Sequence, residues 1–232
     1  MKILGIETSS IVASVAITEN ELLLGETTIN HPKKHSQKLM PIIKNLFKSL
    51  NMTIDDIDLI AVSNGPGSFT GIRIGLTTAK ALAHKSEIPV VTISTLESLV
   101  MNNNDYTGKI FSIIDARRKN VFVNEYNLEN GIIVSENESS MEVIDDYLNI
   151  INECSGKVLL VGSGVTENIE YIIENKNENV ILSDKNSNFP IAKTLCILGS
   201  RIEKENYNNY DNVKANYIRK SQAEISIAQK GK

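Results

Sequence analysis

The chain has 232 residues, an apolar content of 41% and a formal net charge of -4. This length and composition predict a globular protein with a substantial core, as one large domain or two lobes. The small negative charge disfavours bulk attraction to nucleic acid, so any RNA contact must be local or shared with a partner. No apolar run reaches membrane-spanning length, the N terminus enters a strand directly, and Cys154 and Cys196 form no CxxC motif. These features predict a reduced, cytoplasmic protein without a disulfide.

The first predicted elements are three short strands that form a meander. They cover residues 2–7, 12–17 and 21–28, and the second is rich in alternating β-branched residues. An amphipathic helix follows, with Pro41 expected in its first turn and its apolar residues on one face. Thr53 to Asp56 has the form of a capping box, and it leads into an apolar strand at 59–62.

A glycine-proline turn, Gly65-Pro66-Gly67, joins that strand to a helix that starts near Thr70. Small residues recur at every fourth position of this helix: Gly71, Gly75, Ala79 and Ala83. Such a stripe lets a neighbouring element approach closely, and the neighbour belongs either to the same chain or to a partner. A strand at 88–93 and a helix from Ser94 to Met101, opened by a capping box to Glu97, complete the first half.

A polar turn at 102–105 marks the predicted boundary between lobes. Residues 109–115 resemble residues 2–7, with a basic residue, an apolar strand and a terminal acidic residue, which indicates an internal duplication. A strand at 121–126, a helix at 141–151, a strand at 158–161, a peripheral segment at 174–188 and a helix at 189–202 follow. We therefore predict lobes at 1–104 and 105–206, a tail at 207–232, and an α/β, two-lobed actin-like ATPase (ASKHA) fold with a duplicated mixed sheet flanked by helices.

The run from Asn64 to Gly75, NGPGSFTGIRIG, closely resembles the signature of the TsaB (YeaZ-type) family. Supporting matches lie elsewhere in the chain: Glu7-Thr8-Ser9-Ser10, His35-Ser36, Asp115-Ala116-Arg117-Arg118 and Tyr217-Ile218-Arg219. TsaB proteins resemble the TsaD family, once labelled glycoproteases, whose Asn-His-x-x-Gly-His pattern supplies two metal-binding histidines. Here Thr95 and Leu99 stand at those histidine positions, and a leucine cannot bind a metal. The resemblance thus implies a non-catalytic paralogue without metal or cofactor.

The resemblance also implies a cellular role. The chain would be an accessory scaffold for transfer of a threonylcarbamoyl group to N6 of adenosine 37, in tRNAs that read codons starting with A. It would dimerise with a TsaD-type catalytic subunit, help recruit a TsaE-type ATPase, contact tRNA indirectly and form a homodimer when alone. The expected partner interface lies on the two helices of the first lobe: Leu39, Ile43, Leu46, Phe47, Gly71, Gly75, Ala79 and Leu82.

A vestigial nucleotide site is a further expectation. Glycines before a helix can present backbone amides to an anion, although the chain has no Walker A motif. The expected residues come from both lobes: Glu7, Thr8, Ser9, Gly65, Gly67, Asp115, Gly162 and Gly164. An active ATP-dependent phosphotransferase, with Glu7 and Asp115 near Mg²⁺, is the main alternative function, and a metallopeptidase is the other.

Three weaker signals each have a structural explanation. His31 and His35 have metal-ligand spacing on a helix, but Pro32 opposes helical geometry there. Glu97 could act as an acid or base, yet its place in a capping box suffices to explain it. The basic clusters at 117–119 and 219–220 either touch phosphates or form solvated surface.

Overall fold

The computed structural model describes residues 1–31 and 35–218, apart from the side chains of 35–38. Its first sheet has the strand order β3-β2-β1-β4-β5. The strands are β1 Lys2–Glu7, β2 Val12–Glu19, β3 Leu22–Asn30, β4 Leu59–Gly65 and β5 Val90–Ser94. β1 to β3 form an antiparallel meander, whereas β4 and β5 continue the sheet in parallel with β1. The apolar β4 is buried on both faces, as expected for a parallel strand covered by helices.

The second sheet repeats this topology. Its strands are β6 Gly108–Arg117, β7 Asn120–Glu129, β8 Ile132–Glu136, β9 Ser140–Val143, β10 Val158–Val161 and β11 Val180–Leu182. The order β8-β7-β6-β10-β11 matches β3-β2-β1-β4-β5, with the same antiparallel and parallel pairings, and β9 pairs separately with β7. The predicted duplication of a mixed sheet is therefore confirmed.

Helices form the remaining layers. They are α1 His35–Ser49, α2 Phe69–Ser86, α3 Thr95–Met101, α4 Ile144–Asn152, α5 Ser163–Glu167, α6 Ile169–Asn175 and α7 Ala192–Ser200. α1 and α2 cover the outer face of the first sheet, and α4 to α6 the outer face of the second. α3 and α7 fill the core between the sheets. Across the described ranges, none of the helices combines the length and apolar content needed to cross a bilayer.

The last helix of each half reaches across to the other sheet. α7 follows the second sheet in the chain but packs on β1, β2 and β4, whereas α3 follows the first sheet and packs on β6 as well as on β4 and β5. The backbone N–H of Ala192, which opens α7, donates to the buried Ser14 Oγ of β2 at 3.0 Å. The central core is therefore shared between the halves, and the predicted domain boundaries stay predictions.

Three predicted elements were wrong in their limits. Pro41 lies inside α1 and not in its first turn. Met141 belongs to β9, because residues 140–143 pair with β7 before α4 begins at Ile144. The last helix begins at Ala192 rather than at residue 189, since Pro190 disfavours helical geometry for the residue before it.

The segment at 174–188, predicted to be peripheral, lies at the edge of the second sheet. It supplies β11, which extends the second sheet next to β10. Asn188 is 2% exposed, and its Oδ1 accepts hydrogen bonds from the Gly162 N–H at 2.7 Å and from Ser183 Oγ at 2.6 Å. The polar composition of this segment thus serves internal hydrogen bonds.

Residues 208–217, here called the C-terminal strap, run along α2. The strap begins with a bridge between Asn208 and Val90. It then contacts α2 from its last turn back to its first: Tyr210 with His84, Asp211 with Lys80, and Tyr217 with Phe69 and Arg73. Val213 is 3% exposed, so the strap contributes to the core.

Candidate functional site

The loop after β1 is packed beneath the start of α2. Thr8 Oγ1 donates to the Gly71 carbonyl at 2.8 Å, and the Ser9 carbonyl accepts from the Ser68 N–H at 2.6 Å. A Cβ atom on Gly71 or Gly67 would lie well inside 3.0 Å of the Thr8 or Ser9 carbonyl oxygen. These glycines therefore allow two backbone segments of the same chain to touch.

Two backbone amides at the N-terminal end of α2 are already hydrogen-bonded within the chain. Ser68 caps the helix, because its Oγ accepts from the Gly71 N–H at 3.2 Å, while the Ser68 N–H is bound to Ser9. Capping of this kind satisfies donors that would otherwise face an anion. Phosphate binding by Gly65 and Gly67 stays a prediction.

Glu7 lies at the end of β1 with no exposed surface. One carboxylate oxygen accepts from the Ser9 N–H at 2.5 Å, and the other has no partner among the described residues. Burial raises the pKa of Glu7, and the hydrogen bond from the Ser9 backbone only partly opposes this. A carboxyl enclosed in this way differs from the hydrated ligands that Mg²⁺ prefers.

The second-lobe residues of the expected nucleotide site gather at the carboxyl ends of β6 and β10. The backbone N–H of Asp115 donates to Ser163 Oγ at 3.3 Å, and Gly162 and Gly164 pack closely on Ile113. The Gly162 N–H donates to Asn188 Oδ1. Nothing in the sequence indicated this role, because Asn188 lies among other polar residues. The eight expected residues thus form two groups, one at the end of each sheet.

The expected interface residues lie mainly in the chain's own core. Leu39, Ile43, Leu46 and Phe47 are between 1% and 8% exposed and pack against the first sheet. Gly71, Gly75 and Ala79 are buried as well, and only Leu82 is half-buried. The small-residue stripe therefore faces the β1 loop and β4, with Gly75 lying against Thr8 and Val62. The outward faces of α1 and α2 expose other residues: Met40, Lys44, Thr77 and Ala81.

Thr95 and Leu99 are 1% and 0% exposed, on α3 in the central core. Glu97, on the same helix, has its pKa raised to about 7 by burial and then by the nearby Glu136 carboxylate. The predicted capping box here is wrong in part, because the Ser94 side chain makes no capping hydrogen bond. By contrast, the Thr53 box forms, with the Thr53 N–H donating to Asp56 at 2.7 Å.

Within residues 1–31 and 35–218, no three His, Cys, Asp or Glu side chains are grouped to hold a metal ion. The His35 side chain and residues 219–220 lie outside the described residues, so the His31–His35 pair and the second basic cluster are not placed.

The comparisons with known proteins agree with this architecture. A family profile described as "TsaD: tRNA N6-adenosine threonylcarbamoyltransferase" matches residues 23–227. The tRNA threonylcarbamoyladenosine biosynthesis protein TsaB of Bacillus subtilis is 31% identical over 88% of this chain and 89% of its own length. TsaB of Escherichia coli is also 31% identical, over 71% of this chain and 72% of its own length.

Solved structures show the same fold. YeaZ from Pseudomonas aeruginosa has a TM-score of 0.77 at 22% identity and covers 93% of this chain and 99% of that one. A Pseudomonas aeruginosa protein described as similar to peptidase YEAZ has a TM-score of 0.78, also at 22% identity, covering 94% of this chain and 99% of that one. The predicted actin-like fold is confirmed by this likeness and by the duplicated sheets. With relatives of this identity and coverage, the chain belongs to the TsaB family.

Proposed function

We propose that this chain is an accessory, non-catalytic subunit in the biosynthesis of N6-threonylcarbamoyladenosine at position 37 of tRNAs that read codons starting with A. It acts in the cytoplasm, pairs with a TsaD-type catalytic subunit and helps recruit a TsaE-type ATPase. In the absence of the catalytic subunit it pairs with itself.

The side chains at positions 95 and 99 are the observation that carries the proposal. A TsaD-type protein has metal-binding histidines at these positions, whereas this chain has a threonine and a leucine. Both are buried in the core between the sheets, among apolar residues. A buried threonine and a buried leucine support a packing role, rather than metal binding, at this point of the chain.

The outward face of α1 and α2 is the proposed pairing surface. The inward faces of both helices pack on the first sheet and so fix the positions of the helices. Thr77 and Ala81 lie on the exposed side of α2. Small side chains there permit close approach of a partner helix. Substitution of Gly75 would not probe this contact, since its added atoms would collide with Thr8.

Reconstitution tests the proposal. The chain is mixed with the TsaD, TsaE and TsaC equivalents of its own organism, and threonylcarbamoyladenosine in tRNA is measured. We expect modification with the chain present and a loss of at least ten-fold without it. Modification that proceeds equally well without the chain would overturn the assignment.

An interface variant tests the surface. Thr77→Arg with Ala81→Arg should abolish pairing with the TsaD-type subunit in size-exclusion chromatography, because two long charged side chains replace small ones. Asn149→Arg, on the exposed face of α4, is the matched control and should pair normally. Pairing of the double variant at wild-type affinity would exclude this face.

The alternative, an ATP-dependent phosphotransferase, is tested by calorimetry with ATP and Mg²⁺. The fully buried Glu7 carboxyl gives it little support. Tight binding of the nucleotide by the isolated chain would favour it.

A further inference from the structure

The turn between β6 and β7 has an unusual backbone. Arg117, Arg118 and Lys119 are consecutive, all exposed, and have φ values of 67°, 55° and 63°. Arg117 pairs with Asn120 across the hairpin, so Arg118 and Lys119 form a two-residue loop with positive φ at both positions. This is the pattern of a type I′ turn, which strongly favours Asn-Gly.

The chain uses the favoured residues elsewhere in the same sheet. The loop between β7 and β8 is Asn130-Gly131, with φ values of 50° and 74°. The β6–β7 turn instead places three long basic side chains in a backbone region that is strained for them. Local strain that neighbours maintain against intrinsic preference is typical of functional positions.

Neighbouring groups hold this turn rigidly. The Asn120 side-chain amide donates to the Arg117 and Arg118 carbonyls at 3.3 and 3.0 Å, and the Arg117 N–H donates to Asp115 Oδ1 at 3.1 Å. The Ile144 N–H donates to the Lys119 carbonyl at 2.9 Å, which ties the turn to the start of α4. The turn therefore presents its side chains from a preorganised backbone.

Two of the three charges are available. Lys119 Nζ forms an ion pair with Asp145 at 3.2 Å and lies 5.8 Å from the Tyr171 ring centroid. Arg117 and Arg118 form no ion pair with a carboxylate of the described residues. Two adjacent, unpaired guanidinium groups match the geometry of phosphate oxygens, which they can bind through two parallel hydrogen bonds.

We propose that Arg117 and Arg118 bind the phosphodiester backbone of the tRNA on which the complex acts. The inference deepens the proposed function and rests on it. The hairpin tip projects into solvent, as an extended polyanion requires, whereas a nucleotide needs a concave pocket for its base. A local contact of this kind is also compatible with the net charge of -4 of the whole chain.

The test measures binding of fluorescently labelled tRNA at several salt concentrations. The chain is titrated alone and together with the TsaD-type subunit of its organism. For the double variant Arg117→Gln/Arg118→Gln we expect about ten-fold weaker binding near 0.1 M salt. We also expect the magnitude of the slope of log K against log[salt] to decrease by about one to two. Each phosphate contact that is lost leaves roughly one more counterion bound to the tRNA.

Lys157→Gln with Lys204→Gln is the matched control. Both lysines are exposed, and the control removes the same total charge away from the turn. It should leave the affinity and the slope nearly unchanged. Loss of binding equal to that of the arginine variant would overturn the proposal, because general electrostatics would then explain the effect.

A second variant separates binding from turn stability. Arg118→Asn supplies a residue that tolerates positive φ, so the melting temperature should rise by about 1–3 °C while tRNA binding weakens. A purely structural turn would not show these opposite changes.

The remaining outcomes are decisive as well. Unchanged affinity in the arginine variants, or no tRNA binding by the wild-type chain in either form, overturns the proposal. If ADP does not compete with tRNA for the chain but binds the arginine variants more weakly than the wild type, the turn is a nucleotide-phosphate site. The RNA assignment is then wrong. Failure of this inference leaves reconstituted modification dependent on the chain, whereas failure of the proposed function abolishes that dependence.

Discussion

The two sheets share one topology but use their equivalent turns in opposite ways. In the first, the loop after β1 is drawn beneath α2, where Gly67 and Gly71 let carbonyls and amides touch. In the second, the turn after β6 stands in solvent with Arg117 and Arg118 exposed. A repeated strand order therefore determines where a turn begins, while the residues of the turn decide whether it closes on its own chain or projects into solvent.

The largest expected effect tests the closed turn. Gly71→Ala should lower the free energy of unfolding by about 3–5 kcal/mol, because the new methyl group would overlap the Thr8 carbonyl. Gly164→Ala, in the second half, would meet Ile113 Cγ1 at 2.9 Å and the Ile113 carbonyl oxygen at 3.1 Å, a milder overlap than that at Gly71. That variant should lose about 1–3 kcal/mol, less than Gly71→Ala. Urea denaturation measures both, and equal losses would contradict the contrast between the halves.

An intermediate effect concerns α3, in the core between the sheets. Glu97 is the third residue of this helix. The pKa of Glu97 rises from 4.5 to about 7 on folding, so the folded state binds the extra proton. Its stabilising contribution is complete below about pH 4.5 and is lost as the pH rises through 7, by about 3 kcal/mol in total.

Glu97→Gln checks this assignment. Urea denaturation between pH 5 and 8 should show a shallower fall in stability for this variant than for the wild type. Glu136→Gln, which removes the repelling carboxylate, should shift the wild-type fall to lower pH. If Glu97→Gln has the wild-type pH profile, another group carries the dependence.

The smallest effect tests the end of the second sheet. Asn188→Ala should cost about 1–2 kcal/mol, since the buried Gly162 amide and the Ser183 hydroxyl lose their acceptor. Asn186→Ala, at an exposed neighbouring position, should change the stability by less than about 0.5 kcal/mol. Similar values in thermal unfolding would mean that Asn188 is not a structural link.

Strong periodic patterns predicted the fold well. The strands Lys2–Glu7 and Val158–Val161 agree with the structure residue for residue, because each is a short apolar run with a clear turn on both sides. The short β8, β9 and β11 and the helices α5 and α6 were missed, since segments of only three to seven residues are too short to show a clear period. Tertiary pairing, rather than local preference, creates these elements.

The candidate site shows a similar limit. The stripe that contains Gly71 and Gly75 correctly predicts a close approach, but sequence cannot tell a neighbour in the same chain from one in another. The basic residues at 117–119 were visible as a cluster, whereas their positive φ values were not. Strain depends on how Asn120 and Ile144 brace the turn, and the Ile144 contact comes from a distant part of the sequence.

The position of α7 on the first sheet has a consequence for synthesis on the ribosome. The first sheet receives α7 only after residue 200 has been made, and until then the part of β1 and β4 that α7 covers is open to solvent. Ile3, Ala61 and Val91 belong to that face and are at most 1% exposed in the complete fold. A nascent chain that ends near residue 104 therefore displays apolar surface, and its first half depends on the second to become a stable native structure.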